Sequence, residues 1–144
     1  MEFQIRPVKS EDALAITRLS DQLGYRSPQK SIATRIELIL KDPNHQVFVA
    51  VLNQQIVGWI HGFYVLKIES EPFMEIGGLI VDDQFRKMGI GKKLVQQIVI
   101  WSNHNGISKL RVRCNVIRLE SHKFYETIGF ELNKEQKVFD RFLG

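Results

Sequence analysis

The residues best suited to chemistry lie in V-D-D-Q-F-R-K-M-G-I-G-K-K-L, Val81 to Leu94. An apolar β-branched run precedes this stretch and a helix-periodic apolar pattern succeeds it, so it reads as a turn from a strand into a helix. The first N–H groups of a helix lack intrahelical partners and carry partial positive charge, which favours anions. Gly89 and Gly91 have no Cβ and let a backbone approach a phosphate closely, while Arg86 and Lys87 add charge nearby. Two common phosphate loops are excluded. A P-loop ends in Gly-Lys-Ser/Thr, but Lys92-Lys93 comes after Gly91; a dinucleotide fingerprint needs a third glycine where Leu94 stands. Two glycines alone fit an ordinary strand–helix turn better than a ligand site.

Other reactive side chains are sparse. Cys114 is the single cysteine, so no disulfide forms within the chain. Its alternation with Leu110 and Val112 reads as a core thiol rather than a nucleophile. His61 sits in a strand pattern, where an imidazole is either structural or a base titrating near neutrality. His122 reads as a surface residue. No Cys/His cluster suggests a metal site.

Periodicity supplies the scaffold around these residues. Phe3 to Val8 suggests a first strand. Ser10 reads as an N-cap, with Glu11 and Asp12 in the first turn and Ala13, Ile16, Leu19 and Leu23 as the buried stripe, up to Gly24. A second helix starts near Pro28 and buries Ile32, Ile36, Ile39 and Leu40, ending at Asp42-Pro43-Asn44. Val47 to Leu52 and Ile56 to Val65 form a hairpin through Asn53-Gln54-Gln55, and a further strand covers about Phe73 to Val81. Ile90, Leu94, Val95, Ile98, Val99 and Trp101 mark an amphipathic helix closed by Gly106. Leu110 to Cys114 is a strand, Leu119 to Ile128 a helix capped by Gly129, and Phe130 to Leu143 supplies one or two last strands. The fold class is α/β, in the order βααβββαβαβ.

Length and composition bound the rest. The 144 residues, 44% apolar and 25% charged, suit one compact domain, 1–144, with its own core. The N-terminus lacks the apolar region of a secretory signal, and no apolar run approaches the roughly 18 residues needed to span a bilayer. With one cysteine, a reducing cytoplasm fits best. The net charge of +4 suits an anionic partner or simply a solvated surface, and no dense basic block or basic aromatic face points to nucleic acid.

The Arg86, Gly89 and Gly91 spacing, R-x-x-G-x-G after a G-L-I-V strand, resembles the acetyl-CoA signature of the GNAT family of N-acetyltransferases. R-L-E-S-H-K-F-Y-E-T-I-G-F, Arg118 to Phe130, resembles that family's second cofactor segment, and the element order is also the family's. Many members have Asn and Ala where this chain has Arg118 and Ser121. The resemblance implies a GNAT-like mixed, largely antiparallel sheet flanked by helices, with acetyl-CoA as cosubstrate. Main-chain groups of Leu79, Ile80 and Val81 would pair with the pantetheine arm. The amides of Arg86, Lys87, Met88, Gly89, Ile90, Gly91 and Lys92 would hold the pyrophosphate. Asn115, Arg118, Ser121 and Phe124 would complete the cofactor groove. The resemblance also admits a homodimer.

The reaction so implied is transfer of acetyl to a primary amine, either of a small molecule, which the small size favours, or of a peptide. A non-catalytic acyl-CoA-binding domain is the alternative. The amine, with a pKa of about 10, must lose its proton, and the departing thiolate must gain one. Tyr125 is the candidate acid, because a phenol stays protonated at neutral pH. Glu75 is the candidate base, two positions from Gly77 and four from Leu79 on what reads as one strand face; His61 is its rival. Tyr25, Trp59 and Tyr64 are either acceptor-pocket or core aromatics.

Overall fold

The computed structural model describes residues 2–22 and 24–144, so the place expected for Leu23 in the first helix lies outside the described residues. The chain divides into two compact units, Met1–Val112 and Arg113–Gly144. In the first unit, β1 (Gln4–Pro7), β2 (His45–Leu52), β3 (Gln55–Lys67), β4 (Ser70–Val81) and β5 (Leu110–Val112) form one sheet in chain order. Neighbours are antiparallel except β4 and β5, which run parallel. Helices α1 (Ala13–Gln22) and α2 (Gln29–Leu40) connect β1 to β2, and α3 (Ile90–His104) makes the crossover from β4 to β5. The second unit carries α4 (Leu119–Thr127).

The mixed, largely antiparallel α/β fold is as expected, up to the last element. The strand expected over Phe130 to Leu143 is absent: residues 130–144 carry no ladder. The polar run Asn133 to Lys137 interrupts their alternation, no tight-turn dipeptide folds them back, and Val138, Phe139, Phe142 and Leu143 are exposed. At the other end of the chain, Lys9 rather than Ser10 is the N-cap, leading through a single 3-10 turn into α1. The Asp12 carboxylate explains this. It accepts the Lys9 N–H at 2.7 Å and both Arg6 Nη groups at 2.8 and 2.9 Å. Burial pushes the Asp12 carboxyl up, but the Arg6 and Lys9 contacts together hold it below the ordinary carboxylate range.

The sheet has a core on each face. On one, Val47 and Val49 pack with Val8, Ala13, Ile16 and Ile36, and Trp59 lies against them. On the other, α3 buries Ile90, Leu94, Val95 and Ile98, each contributing about 1.5–3 kcal/mol. Val99 and Leu40, expected in buried stripes, are exposed; Val99 is one residue past Ile98 and so about 100° around the helix, and Leu40 ends α2. Two glycines of β3 let α3 lie close to the sheet. A Cβ at Gly58 would stand 3.3 Å from both Ile90 and Leu94, and one at Gly62 would stand 2.8 Å from Ile98 Cδ1.

Two irregularities decide which side chains share a face. The β2–β3 hairpin turns on Asn53 and Gln54, both at positive φ (50° and 66°), as a two-residue turn requires. A bulge then leaves Val57 unpaired, since Val51 faces Ile56 and Ala50 faces Gly58. A second bulge leaves Gly77 of β4 unpaired, since His61 faces Gly78 and Gly62 faces Ile76. Bulges bend a strand and re-aim the side chains beyond them.

Candidate active site

The β4–β5 ladder stops at Ile76 opposite Val112. Beyond it, Gly77 to Val81 pair only with β3 among the described strands, so the main chain of Leu79, Ile80 and Val81 borders an unladdered edge. An extended ligand with amide groups can add to such an edge as another strand would.

This edge leads into the phosphate-type turn. Buried Asp82 starts it, its Oδ1 accepting the Gln84 N–H at 3.0 Å. Arg86 ion-pairs with Asp83 at 2.8 Å, both side chains being well exposed. Lys87 (φ 65°) and Gly89 (φ 80°) then adopt left-handed conformations on either side of Met88. For a lysine this costs roughly 1–2 kcal/mol, so the turn is held open against local preference. The first intrahelical bond of α3 runs from Lys93 N–H to the Gly89 carbonyl at 3.1 Å. The N–H groups of Ile90, Gly91 and Lys92 therefore have no helical acceptor. Nothing lies within 4 Å of a Cβ built on Gly89, so that side of the turn is open. The Ile90 side chain is buried and anchors the helix start.

The face expected to carry the base is changed by the Gly77 bulge. Glu75 is opposite Phe63, and a Cβ on Gly77 would meet His61 and Phe63, so these residues share a face. Leu79, opposite Ile60, belongs to the other face. The expected alignment of Glu75 with Leu79 is thus corrected, because the extra residue inverts the alternation. Glu75 is also level with Arg111 of β5, whose guanidinium lies 4.4 Å from the Phe73 ring centre.

His61 is not alone. His45 Nδ1 lies 2.9 Å from His61 Nε2, and His45 Nε2 lies 3.7 Å from Asp42 Oδ2. The two imidazoles stack at 5.2 Å, with the Phe63 ring 5.6 Å from each. Burial, then the charge of His45, lowers the His61 pKa to about 4, so it is neutral at physiological pH. Sequence reasoning missed His45 and Asp42.

In the second unit, Asn115 is exposed and its Oδ1 accepts the Ile117 N–H at 3.1 Å. Its carbonyl lies 2.9 Å from His122 Nε2, an exposed contact that ties His122 to the segment leading into α4. Arg118 is the N-cap of α4, and Ser121 and Phe124 are half-buried. Tyr125 is half-buried between the Phe124 and Phe130 rings, edge-on at 5.1 and 5.4 Å. Burial, reinforced by Cys114, raises its pKa well above the usual phenol value. Cys114 lies just past the end of β5 and is half-buried, which corrects the expected core thiol. Burial raises its pKa against the charge of Arg118, so the thiol stays protonated. Tyr25, expected in a pocket or core, is 53% exposed.

No group of three His, Cys, Asp or Glu residues among those described is placed to hold a metal, and none of the described helices is long and apolar enough to cross a membrane.

Known proteins resemble this arrangement. The chain is 30% identical to N-acetylaspartate synthetase of Danio rerio over 96 residues, which are 66% of this chain and 33% of that protein, so it spans about a third of such relatives. It is 26% identical to aminoglycoside N(6')-acetyltransferase type 1 of Salmonella typhimurium, over 85% of this chain and 87% of that one. Among solved structures, an aminoglycoside antibiotic 6'-N-acetyltransferase from Acinetobacter baumannii has TM-score 0.87 at 17% identity, covering 99% of this chain and 100% of that one. An aminoglycoside N-acetyltransferase in complex with CoA has TM-score 0.85 at 22% identity, covering 98% and 95%. Residues 14–130 match the Acetyltransferase (GNAT) family, and with the open β4 edge running into a left-handed turn and helix start, the chain belongs to that family.

Proposed function

We propose that this chain transfers acetyl from acetyl-CoA to a primary amine of a small molecule by direct attack of the amine on the thioester. The single observation that carries this reading is the continuity of the unladdered Gly77–Val81 edge with the free N–H groups of Ile90, Gly91 and Lys92. An amide-bearing arm suits the edge, and a diphosphate suits the helix start, helped by the charges of Arg86, Lys87 and Lys92. Asn115, Arg118, Ser121 and Phe124 are assigned to the same cofactor, and the family match across both units supports one acetyltransferase domain over 1–144.

A backbone N–H beside the Gly77 bulge is the donor for the developing oxyanion. Tyr125 is the acid for the departing thiolate: burial keeps the phenol protonated, and the proton must move as the thiolate charge develops beside it. The base for the ammonium belongs to the face of Glu75, Gly77 and His61. A small-molecule acceptor is supported by the relatives' names, one group producing N-acetylaspartate and the other acetylating aminoglycosides. Free-thiol release from acetyl-CoA, measured against amino acids, polyamines, aminoglycosides and peptides, tests the reading. Turnover with a small amine is expected; thiol release with peptides only would overturn the acceptor class, and none with any amine would overturn transfer.

A further inference from the structure

We propose that Asp42, His45 and His61 form a proton relay that removes the proton of the attacking amine at the Gly77 bulge and passes it to the surface at Asp42. The proposal rests on the acetyl-transfer reading above and names the group that acts as its base.

The chain of contacts has one consistent polarity. Asp42 is an exposed carboxylate 3.7 Å from His45 Nε2, and its negative charge favours the His45 tautomer with hydrogen on Nε2. His45 Nδ1 then bears the lone pair and accepts the Nε2–H of His61 across 2.9 Å. That leaves the His61 lone pair on Nδ1. This atom would lie 3.2 Å from a Cβ at residue 77, and only a glycine leaves it uncovered. Gly77 is exposed and is the unpaired residue of the bulge opposite His61, so the basic nitrogen faces this bulge.

Protons balance along this path. His61 Nδ1 takes a proton from the amine nitrogen as its bond to the acetyl carbon forms. His61 Nε2–H passes to His45 Nδ1, and His45 Nε2–H passes to solvent water beside the Asp42 carboxylate. Each imidazole ends neutral in the opposite tautomer and exchanges back through solvent at the half-exposed His45 end. Phe63, stacked on His45 and tilted against His61, packs beside both rings without competing for protons. His61 touches substrate in this scheme; His45 and Asp42 act through it.

The test uses the full chain and thiol release with the best amine of the panel. His61→Ala should lower kcat about 100-fold, the lower range for loss of a general base, with the acetyl-CoA KM within twofold, and millimolar imidazole should restore part of the rate. His45→Phe keeps a ring beside Phe63 but breaks the path, and should lower kcat at least tenfold with an unchanged melting temperature. Asp42→Asn, at an exposed position, should lower kcat several-fold and serves if His45→Phe does not fold. Wild-type kcat in His61→Ala, wild-type kcat in the folded path variants, or an imidazole response no larger than that of the wild type would overturn the relay. If the wild type transfers no acetyl and gains no thermal stability from acetyl-CoA, the transfer reading itself fails and the relay with it.

Discussion

Gly89→Asp separates cofactor binding from stability. Gly89 is at φ 80°, a region that Asp tolerates better than most residues, and a Cβ there meets nothing within 4 Å. The new carboxylate sits at the positive end of α3, where it gains about 0.3–1 kcal/mol. Cost and gain nearly cancel, so the melting temperature should stay within a few degrees of the wild type. Binding should respond very differently. At about 5 Å from a diphosphate and an effective dielectric of about 20, the carboxylate repels each unit of phosphate charge by about 3 kcal/mol. That corresponds to a loss of at least about 100-fold in affinity. Isothermal titration with acetyl-CoA, at low and then physiological salt, measures it, and the loss should shrink as salt screens the charges. A folded variant that binds acetyl-CoA within threefold of the wild type would refute the placing of the diphosphate at this turn.

The same geometry fixes other outcomes. Tyr125→Phe should lower kcat by about 10- to 100-fold with little change in acetyl-CoA affinity; unchanged steady-state kinetics would remove Tyr125 as the acid. Gly62→Ala pushes a methyl against Ile98 Cδ1 at 2.8 Å and should destabilise by about 1–3 kcal/mol in urea unfolding, while Gly106→Ala, which meets nothing within 4 Å, isolates the cost of positive φ alone. Asp12→Asn weakens the Arg6 and Lys9 contacts and should cost about 1–3 kcal/mol at neutral pH. Because the folded pKa of Asp12 lies below its unfolded value, its contribution is complete above the ordinary carboxylate range and disappears as pH falls through the folded value. The variant should therefore show a flatter acid limb in stability against pH.

Much of this arrangement is legible in the sequence because amphipathic periodicity reports which faces are covered. Leu94 and Ile98 announce α3, and Gly89 and Gly91 mark its start. Single-residue irregularities are not legible in that way. A two-residue turn at Asn53-Gln54 with regular pairing would set His61 opposite Gln46 and leave His45 on the other face; the unpaired Val57 slides the register so that His61 meets Val47 and His45 comes within reach. The same effect at Gly77 separates Glu75 from Leu79. A bulge is a property of the pairing between strands; Val57 carries no local sign of one, whereas Gly77-Gly78 inside a strand pattern does. The terminal segment misleads for the opposite reason: Phe130 to Leu143 has strand-like composition, yet composition alone supplies no partner for its main chain.

The glycines of β3 have a bearing on the ligand they never touch. Gly58 and Gly62 stand under the two ends of the α3 contact, and the start of that helix and the rim of β4 are the two jaws proposed to close on one cofactor. The span between the jaws is therefore set by two missing methyl groups in the layer beneath. A methyl at Gly58 would press on the Ile80 carbonyl of β4 at 3.1 Å as well as on Ile90 and Leu94 at 3.3 Å, so it would disturb both jaws at once, and such a variant should discriminate between cofactors by the length of the arm joining phosphate to thioester.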